Sequence, residues 1–280
     1  MSLGPDGNMW FVEIHGSKVG YITPNGVIIE YGLTPGSLPH GINLGPDGAL
    51  WFAETNANKI GRITINGDLT EYQIPTPNSQ PRTAVGGPDG LIWFTERAGK
   101  IGALTTRGVF TKEYKVSTYP DSELESIKAG PDGALWFAEE DGNRIGRITT
   151  NGVITEYPLP HPGSQPDVIT RGPHNAMWFS ENLGNRIGRI DMNGAIKEYS
   201  IPTQKSDPAG VTTGPDGAIW FTEFLGNKIG RLTPGGSFFE YPVPTPNSQP
   251  AHVFTGSDIA IWFTETQGNR IGRLVFTQGP

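Results

Sequence analysis

Apolar and polar positions recur along this chain of 280 residues with a long period and no useful helical one. Within each period, apolar runs of five or six residues are set off by Gly, Pro, Asn and Asp, the residues that tight turns demand. Seven of these runs contain Trp-Phe-x-Glu, beginning at Trp10, Trp51, Trp93, Trp136, Trp178, Trp220 and Trp262. The intervals are 41, 42, 43, 42, 42 and 42 residues, and every tryptophan of the chain is used. A fixed period of this size marks a repeat architecture.

The unit 37–72 shows what one period encodes. His40-Gly41-Ile42-Asn43-Leu44 is a short apolar run, and Gly45-Pro46-Asp47-Gly48 supplies a turn. Ala49 to Glu54 reads as a strand whose alternation sets Leu50, Phe52 and Glu54 on one face and Trp51 and Ala53 on the other. Both faces are largely apolar, which predicts a strand sandwiched between layers. Lys59 to Thr64 is a third strand, with Gly61 admitting a neighbouring side chain. Asn66-Gly67 signals a hairpin leading to the fourth strand, Asp68 to Tyr72, and a Pro-rich crossover, 74–81, leads onward. Four antiparallel strands repeated seven times predict an all-β fold, a seven-bladed β-propeller, over a single domain spanning 1–280. A β-solenoid is the alternative, disfavoured because its coils are parallel whereas the turns here are hairpins. The first unit shows no innermost strand and the seventh stops near Leu274-Val275-Phe276, so terminal strands of the first and last blades are expected to be missing. The repeat period places roughly twenty residues of a longer parent ahead of this chain; strands from a partner, or an open ring, are the alternatives.

Composition narrows the function classes. The formal net charge of -7 disfavours nucleic acid, which calls for a basic stripe. No run of eighteen apolar residues is present, so no membrane span is expected, and no signal peptide is visible. The absence of Cys removes disulfides, thiolate metal sites and cysteine nucleophiles and fits a cytoplasmic protein, expected to be a monomer.

What recurs in all seven units reads as structure, so the seven glutamates are poor candidates for chemistry that needs one or two positioned acids. They pair instead with the Lys or Arg of strand three, such as Lys59 and Arg144. Information lies where the repeat breaks. Just after the crossover proline the units carry His40, Arg82, Glu125 (after Leu124 in place of the proline), Asp167, Ala209 and Ala251. Propeller geometry puts this position at the mouth of the central channel, near the strand-two glutamate. Arg82, Glu125 and Asp167 are therefore candidate binding residues for a small molecule or peptide. His40 is a candidate base or ligand contact, since imidazole titrates near neutrality, against the simpler reading of a solvated loop-edge residue. His252 lies one position further in, which alternation points to the other face. His15, His161 and His174 have no companion at metal spacing. The acids Asp121, Glu123 and Glu125, with Glu139, Glu140 and Asp141, have the chemistry to hold Mg²⁺, although solvated loop acids are the simpler reading.

The unit at 214–233, Gly-Pro-Asp-Gly-Ala-Ile-Trp-Phe-Thr-Glu followed by Asn-Lys-Ile-Gly-Arg-Leu-Thr, closely resembles the virginiamycin B (streptogramin B) lyase family. So do the Glu-Tyr strand endings and the crossovers at 75–81 and 244–250. The resemblance implies a seven-bladed propeller that linearises cyclic streptogramin B antibiotics at their ester bond by Mg²⁺-assisted elimination, a resistance activity. It also implies a base histidine in a Glu-Pro-His-Gly run, with nearby glutamates on the metal. Family order puts that run in the last blade, where this chain reads Gln249-Pro250-Ala251-His252. The best local match, Leu38-Pro39-His40-Gly41, lies in another blade. The resemblance thus yields His40 or His252 as base and Glu54 or Glu265 as metal ligand. A non-catalytic binding propeller and a lactone hydrolase of the same fold are the other readings.

Overall fold

The computed structural model describes residues 1–116 and 122–276, so Asp121 lies outside the described residues. The strands form seven antiparallel sheets in chain order, six of four strands and a last one of three. This is the seven-bladed propeller the repeat predicts, with a shortened final blade. The first blade differs from expectation: Ser2–Leu3 forms an inner strand, pairing Ser2 with Trp10 and Leu3 with Met9. Blades are numbered 1 to 7 here, and strands within a blade first (inner) to fourth (outer). The chain divides into two compact units. One comprises Met1–Ala129, Gly133–Gly142 and Gly146–Thr155; the other comprises Gly130–Asp132, Asn143–Ile145 and Glu156–Pro280. No helix among the described residues is long and apolar enough to cross a membrane.

Each second strand is the core of its blade. Leu50–Glu54, Ile92–Glu96 and Ile219–Glu223 are buried at every residue, whereas fourth strands such as Leu69–Gln73 are half-exposed. Both faces of the second strand are covered because Trp and Phe on opposite faces each need a neighbouring layer. The third-strand glycine makes this possible: a Cβ on Gly61 would lie 2.2 Å from the Phe52 ring, so only glycine leaves room.

Burying an indole obliges its N–H to find an acceptor. The turn aspartate supplies it: Trp51 Nε1 donates to Asp47 Oδ1 at 2.9 Å, Trp93 to Asp89 at 2.9 Å and Trp220 to Asp216 at 3.0 Å. The other carboxylate oxygen accepts from a third-strand arginine in two of these, Arg62 to Asp47 at 2.7 Å and Arg231 to Asp216 at 2.6 Å. The same guanidinium lies over the indole, 5.8 Å from the Trp51 centroid and 5.9 Å from that of Trp220. Blade 5 has His174 and Asn175 where the aspartate turn would run, and Trp178 donates to the Pro173 carbonyl instead, at 3.2 Å. Asp216→Ala leaves an orphaned buried N–H and is expected to lower stability by about 2 kcal/mol in chemical denaturation.

The repeated glutamates are also structural, in an unusual form. Glu54 is fully buried between Lys59 and a second carboxyl, Glu71 of the fourth strand. Burial, then the charge of Glu71, pushes Glu54 up to about 7, with Lys59 opposing. The same causes raise Glu96 to about 8 beside Glu113, and Glu181 and Glu223 to about 7 beside Glu198 and Glu240. Burial alone would raise Glu71 too, but bonds from Lys59 and Thr34 outweigh it and hold it low. In the pairs Glu54–Glu71, Glu96–Glu113 and Glu223–Glu240 the inner acid is therefore the proton carrier and the outer one the carboxylate. A carboxyl raised on folding stabilises fully below its unfolded pKa and loses that contribution as pH climbs through its folded pKa. The melting temperature is accordingly expected to fall between about pH 5 and pH 8, each of the four groups contributing on the order of 1–3 kcal/mol. Glu96→Gln should flatten that slope; a melting temperature rising over this window would contradict the assignment.

Candidate functional site

The crossover into each inner strand turns through a non-glycine residue with positive φ: Leu38 (48°), Gln80 (51°) and Glu123 (28°) in the first unit. Holding such residues in the left-handed region costs about 1 kcal/mol or more, and the corner sets the direction of the strand that follows. The strand then pairs briefly with the end of strand two, Leu124 with Glu139 in blade 4 and Pro39 with Glu54 and His40 with Ala53 in blade 2, before its register shifts. The bulge interrupts the ladder at or just beyond the post-proline residue.

In the first unit this device brings together three residues expected from the breaks in the repeat. Arg82 grips Glu125 with two nitrogens, Nε to Oε2 at 2.9 Å and Nη2 to Oε1 at 2.8 Å. Its Nη1 lies 3.2 Å from His40 Nε2. Because a guanidinium only donates, the imidazole nitrogen must accept, which assigns the ring proton of a neutral His40 to Nδ1. Burial, followed by the charges of Arg82, Arg97 and His15, lowers His40 to about 4, so it is neutral at physiological pH. His40 is thus half-buried and engaged, not a solvated loop-edge histidine.

Around this triad stands a second layer that the crossover position alone did not reveal. Arg97 Nη2 donates to Glu123 Oε2 at 2.5 Å, and the Glu140 N–H donates to the Glu123 carbonyl at 3.0 Å. Glu123, Glu125 and Glu140 bring one carboxylate oxygen each within 4.8 Å of one another. Burial, then the charges of Glu125, Glu123 and Asp141, pushes Glu140 up to about 7, with Arg82 opposing. Arg97 and Glu140 both directly follow a strand-two glutamate, a position held elsewhere by Ile14, Thr55, Asn182, Phe224 and Thr266. Comparing blades there, as at the post-proline position, finds both residues.

This donor set suits a hard divalent cation: three oxygens, excess negative charge, and one carboxyl whose ionisation is resisted by its neighbours. Glu54, expected as a ligand, has a different setting, since its surroundings recur at Glu96, Glu181 and Glu223. Glu265 is buried at the end of strand two of blade 7, paired in register with Pro250 and Arg270. Asp167 and His252 belong to the second unit. Asp167 Oδ2 accepts from Asn182 Nδ2 at 3.5 Å, and His252 is exposed, its backbone N–H donating to Thr264 Oγ1 at 3.0 Å. Ala209 and Ala251 occupy the post-proline position in blades 6 and 7.

Seven blades on one repeat, with charged side chains gathered at strand ends and loops where the repeat fails, define the class as a seven-bladed propeller. The chain belongs to the virginiamycin B lyase family, whose model matches residues 1–119 and 93–279. A solved streptogramin B lyase is 39% identical, over 97% of this chain and 91% of its own, with a TM-score of 0.93. A virginiamycin B lyase from Staphylococcus aureus is 40% identical, over 98% and 93%, also at 0.93. A catalytically inactive histidine-to-alanine variant of the Staphylococcus aureus enzyme, solved with quinupristin, matches equally well. Comparison with curated proteins gave no match.

Arg82→Met removes the partner of Glu125 and the nearest charge on His40. It is expected to cost about 2 kcal/mol in stability and to move the His40 titration, followed by NMR, from about 4 toward 6.5. An unmoved titration would mean that burial and the remaining charges of Arg97 and His15 set it without Arg82.

Proposed function

We propose that this protein binds a small cyclic, ester-containing peptide and opens it by carbon–oxygen elimination, the reaction class of its family. The observation that carries this reading is the 40% identity over 98% of the chain to a virginiamycin B lyase. The quinupristin held by the inactive variant supplies the ligand class.

In this reading a base takes a proton from the carbon adjacent to the one bearing the ester oxygen. The carbon–oxygen bond breaks, a double bond forms between those carbons, and the ester leaves as a carboxylate. No water is added. His40 is the proposed base, since it carries no positive charge at neutral pH and among the described residues its Nε2 lone pair meets Arg82. An ester carbonyl that accepts from Arg82 would draw the guanidinium off that lone pair and place a fixed positive charge beside the developing negative one. Glu125 holds the guanidinium in place. A divalent cation held by Glu123, Glu125 and Glu140 would, when bound, add Lewis-acid stabilisation of that charge. His252 and Asp167 remain proposed ligand contacts of the second unit.

Binding without turnover is the second reading. It is favoured by Gln249-Pro250-Ala251 in the last blade, where the family run has glutamate and histidine. Incubation with a streptogramin B and Mg²⁺, followed by mass spectrometry, separates the two. Elimination gives an opened ring of unchanged mass, lost at least a hundredfold in His40→Ala and weakened by chelation. A product heavier by one water indicates a hydrolase. Bound but intact ligand, with an active relative as control, would establish the binding reading and sink the lyase one.

A further inference from the structure

Between the crossover that leaves blade 2 and the outer half of blade 3 lies a cavity of about 320 Å³, at the lower end of the range for small-ligand sites. Ile74, Pro75, Phe94 and Phe110 give it apolar walls, the two rings meeting edge to face at 6.0 Å. Glu96 and Glu113 bring two carboxyl groups to the same space. All of these residues belong to the first compact unit, and none takes part in the bonds joining His40, Arg82 and Glu125.

The cavity lies where blade 3 departs from its sisters. Its fourth strand, Phe110–Lys115, carries an extra residue, because Leu104 pairs with Phe110 while Ala103 pairs with Lys112. The outer ladders of blades 1, 2, 5 and 6 run without such a shift. The extra residue, Thr111, lines the cavity, and its hydroxyl donates back to the Ala103 carbonyl at 3.3 Å.

The two acids are unequally provided for. Glu113 accepts from Lys100 at 2.8 Å and from Thr76. Glu96 is fully buried, and neither of its oxygens has a donor among the described residues. Ser79 beside it gives its hydroxyl proton to Asn58 Oδ1 at 2.8 Å, and Glu113, as a carboxylate, only accepts. Lys112, which also lines the cavity, sends its ammonium to Asp89 at 3.0 Å and the Thr150 carbonyl at 2.8 Å. Glu96 therefore keeps a proton: burial, then the charge of Glu113, pushes it up to about 8, with Lys100 opposing. A second cation is what this pair lacks. Such pairs recur in other blades as part of the frame; in blade 3 the pair also faces a cavity.

We infer that this cavity binds a small organic ammonium ion, its charged end against Glu113 and Glu96 and its apolar body between Phe94, Phe110, Ile74 and Pro75. Aromatic rings attract both the charge and the hydrocarbon of such a ligand. The bare oxygens of an ionised Glu96 accept its N–H hydrogens. Glu96 releases its proton to solvent as the ammonium enters, so one positive charge replaces another. Binding accordingly strengthens as pH climbs toward about 8.

The test is calorimetry of the full chain with 2-phenylethylamine as probe, at pH 7 in two buffers of unlike ionisation enthalpy. One saturable site is expected, with close to one proton released per amine and affinity rising about tenfold or more from pH 6 to pH 8. 2-Phenylethanol, the same body without the charge, should not bind measurably. Glu96→Gln, checked by circular dichroism, should bind the amine about tenfold more weakly and without proton release. Phe110→Ala should weaken binding but keep the release. No saturable binding, binding without proton release, or equal binding of the alcohol overturns the inference. So does binding that both variants leave intact, which would put the amine on Glu123, Glu125 and Glu140. The pH profile is read on the unaltered chain, so a variant that fails to fold leaves the test standing.

Discussion

The indole N–H of a buried tryptophan is the constraint on which each blade depends. An aromatic large enough to fill the space beside its sheet brings one polar atom that water cannot reach. Answering it fixes a turn aspartate, that aspartate attracts the arginine of the third strand, and the arginine covers the ring it helped to bury, as in Asp47, Arg62 and Trp51. Blade 5 shows that the requirement is for an acceptor and not for an aspartate, since the Pro173 carbonyl serves Trp178. The phenylalanine on the other face imposes the second condition, a glycine opposite it on strand three.

These conditions make the blades rigid and nearly identical, and they give the most conspicuous acids a place in the frame. Burial and a second carboxyl push Glu54, Glu96, Glu181 and Glu223 well above the usual carboxylate range. The polar side chains of the candidate site are those that the frame does not need: the residue after the crossover proline and the residue after strand two. In the first unit His40, Arg82, Glu125, Arg97 and Glu140 all come from these two positions.

Much of this was legible in the sequence. The Trp-Phe-x-Glu interval gave the blade count, Asn66-Gly67 the hairpin between outer strands, and the crossover prolines the starts of the inner ones. The short strand Ser2–Leu3 was not, because two residues carry no alternation. The grouping of His40, Arg82 and Glu125 was foreseen by position, but the direct bonds joining them span neighbouring blades and have no local signature. Glu140 looked like a solvated loop acid beside Glu139 and Asp141. Its closeness to Glu123 and Glu125 depends on a positive φ at Glu123 that no residue type announces.

The corner ahead of the crossover proline has an evolutionary consequence. Because Leu38, Gln80, Gln165, Asp207 and Gln249 all adopt nearly the same φ, 48° to 53°, the residue after the proline that follows each corner sits in an interchangeable socket. A histidine, an arginine or an alanine is accepted there without refolding the blade. Chemistry can therefore be lost in one blade and gained in another by single substitutions, and duplication or permutation of repeats can carry it round the scaffold. Two relatives with superimposable backbones can then hold their reactive groups at different points of the compass.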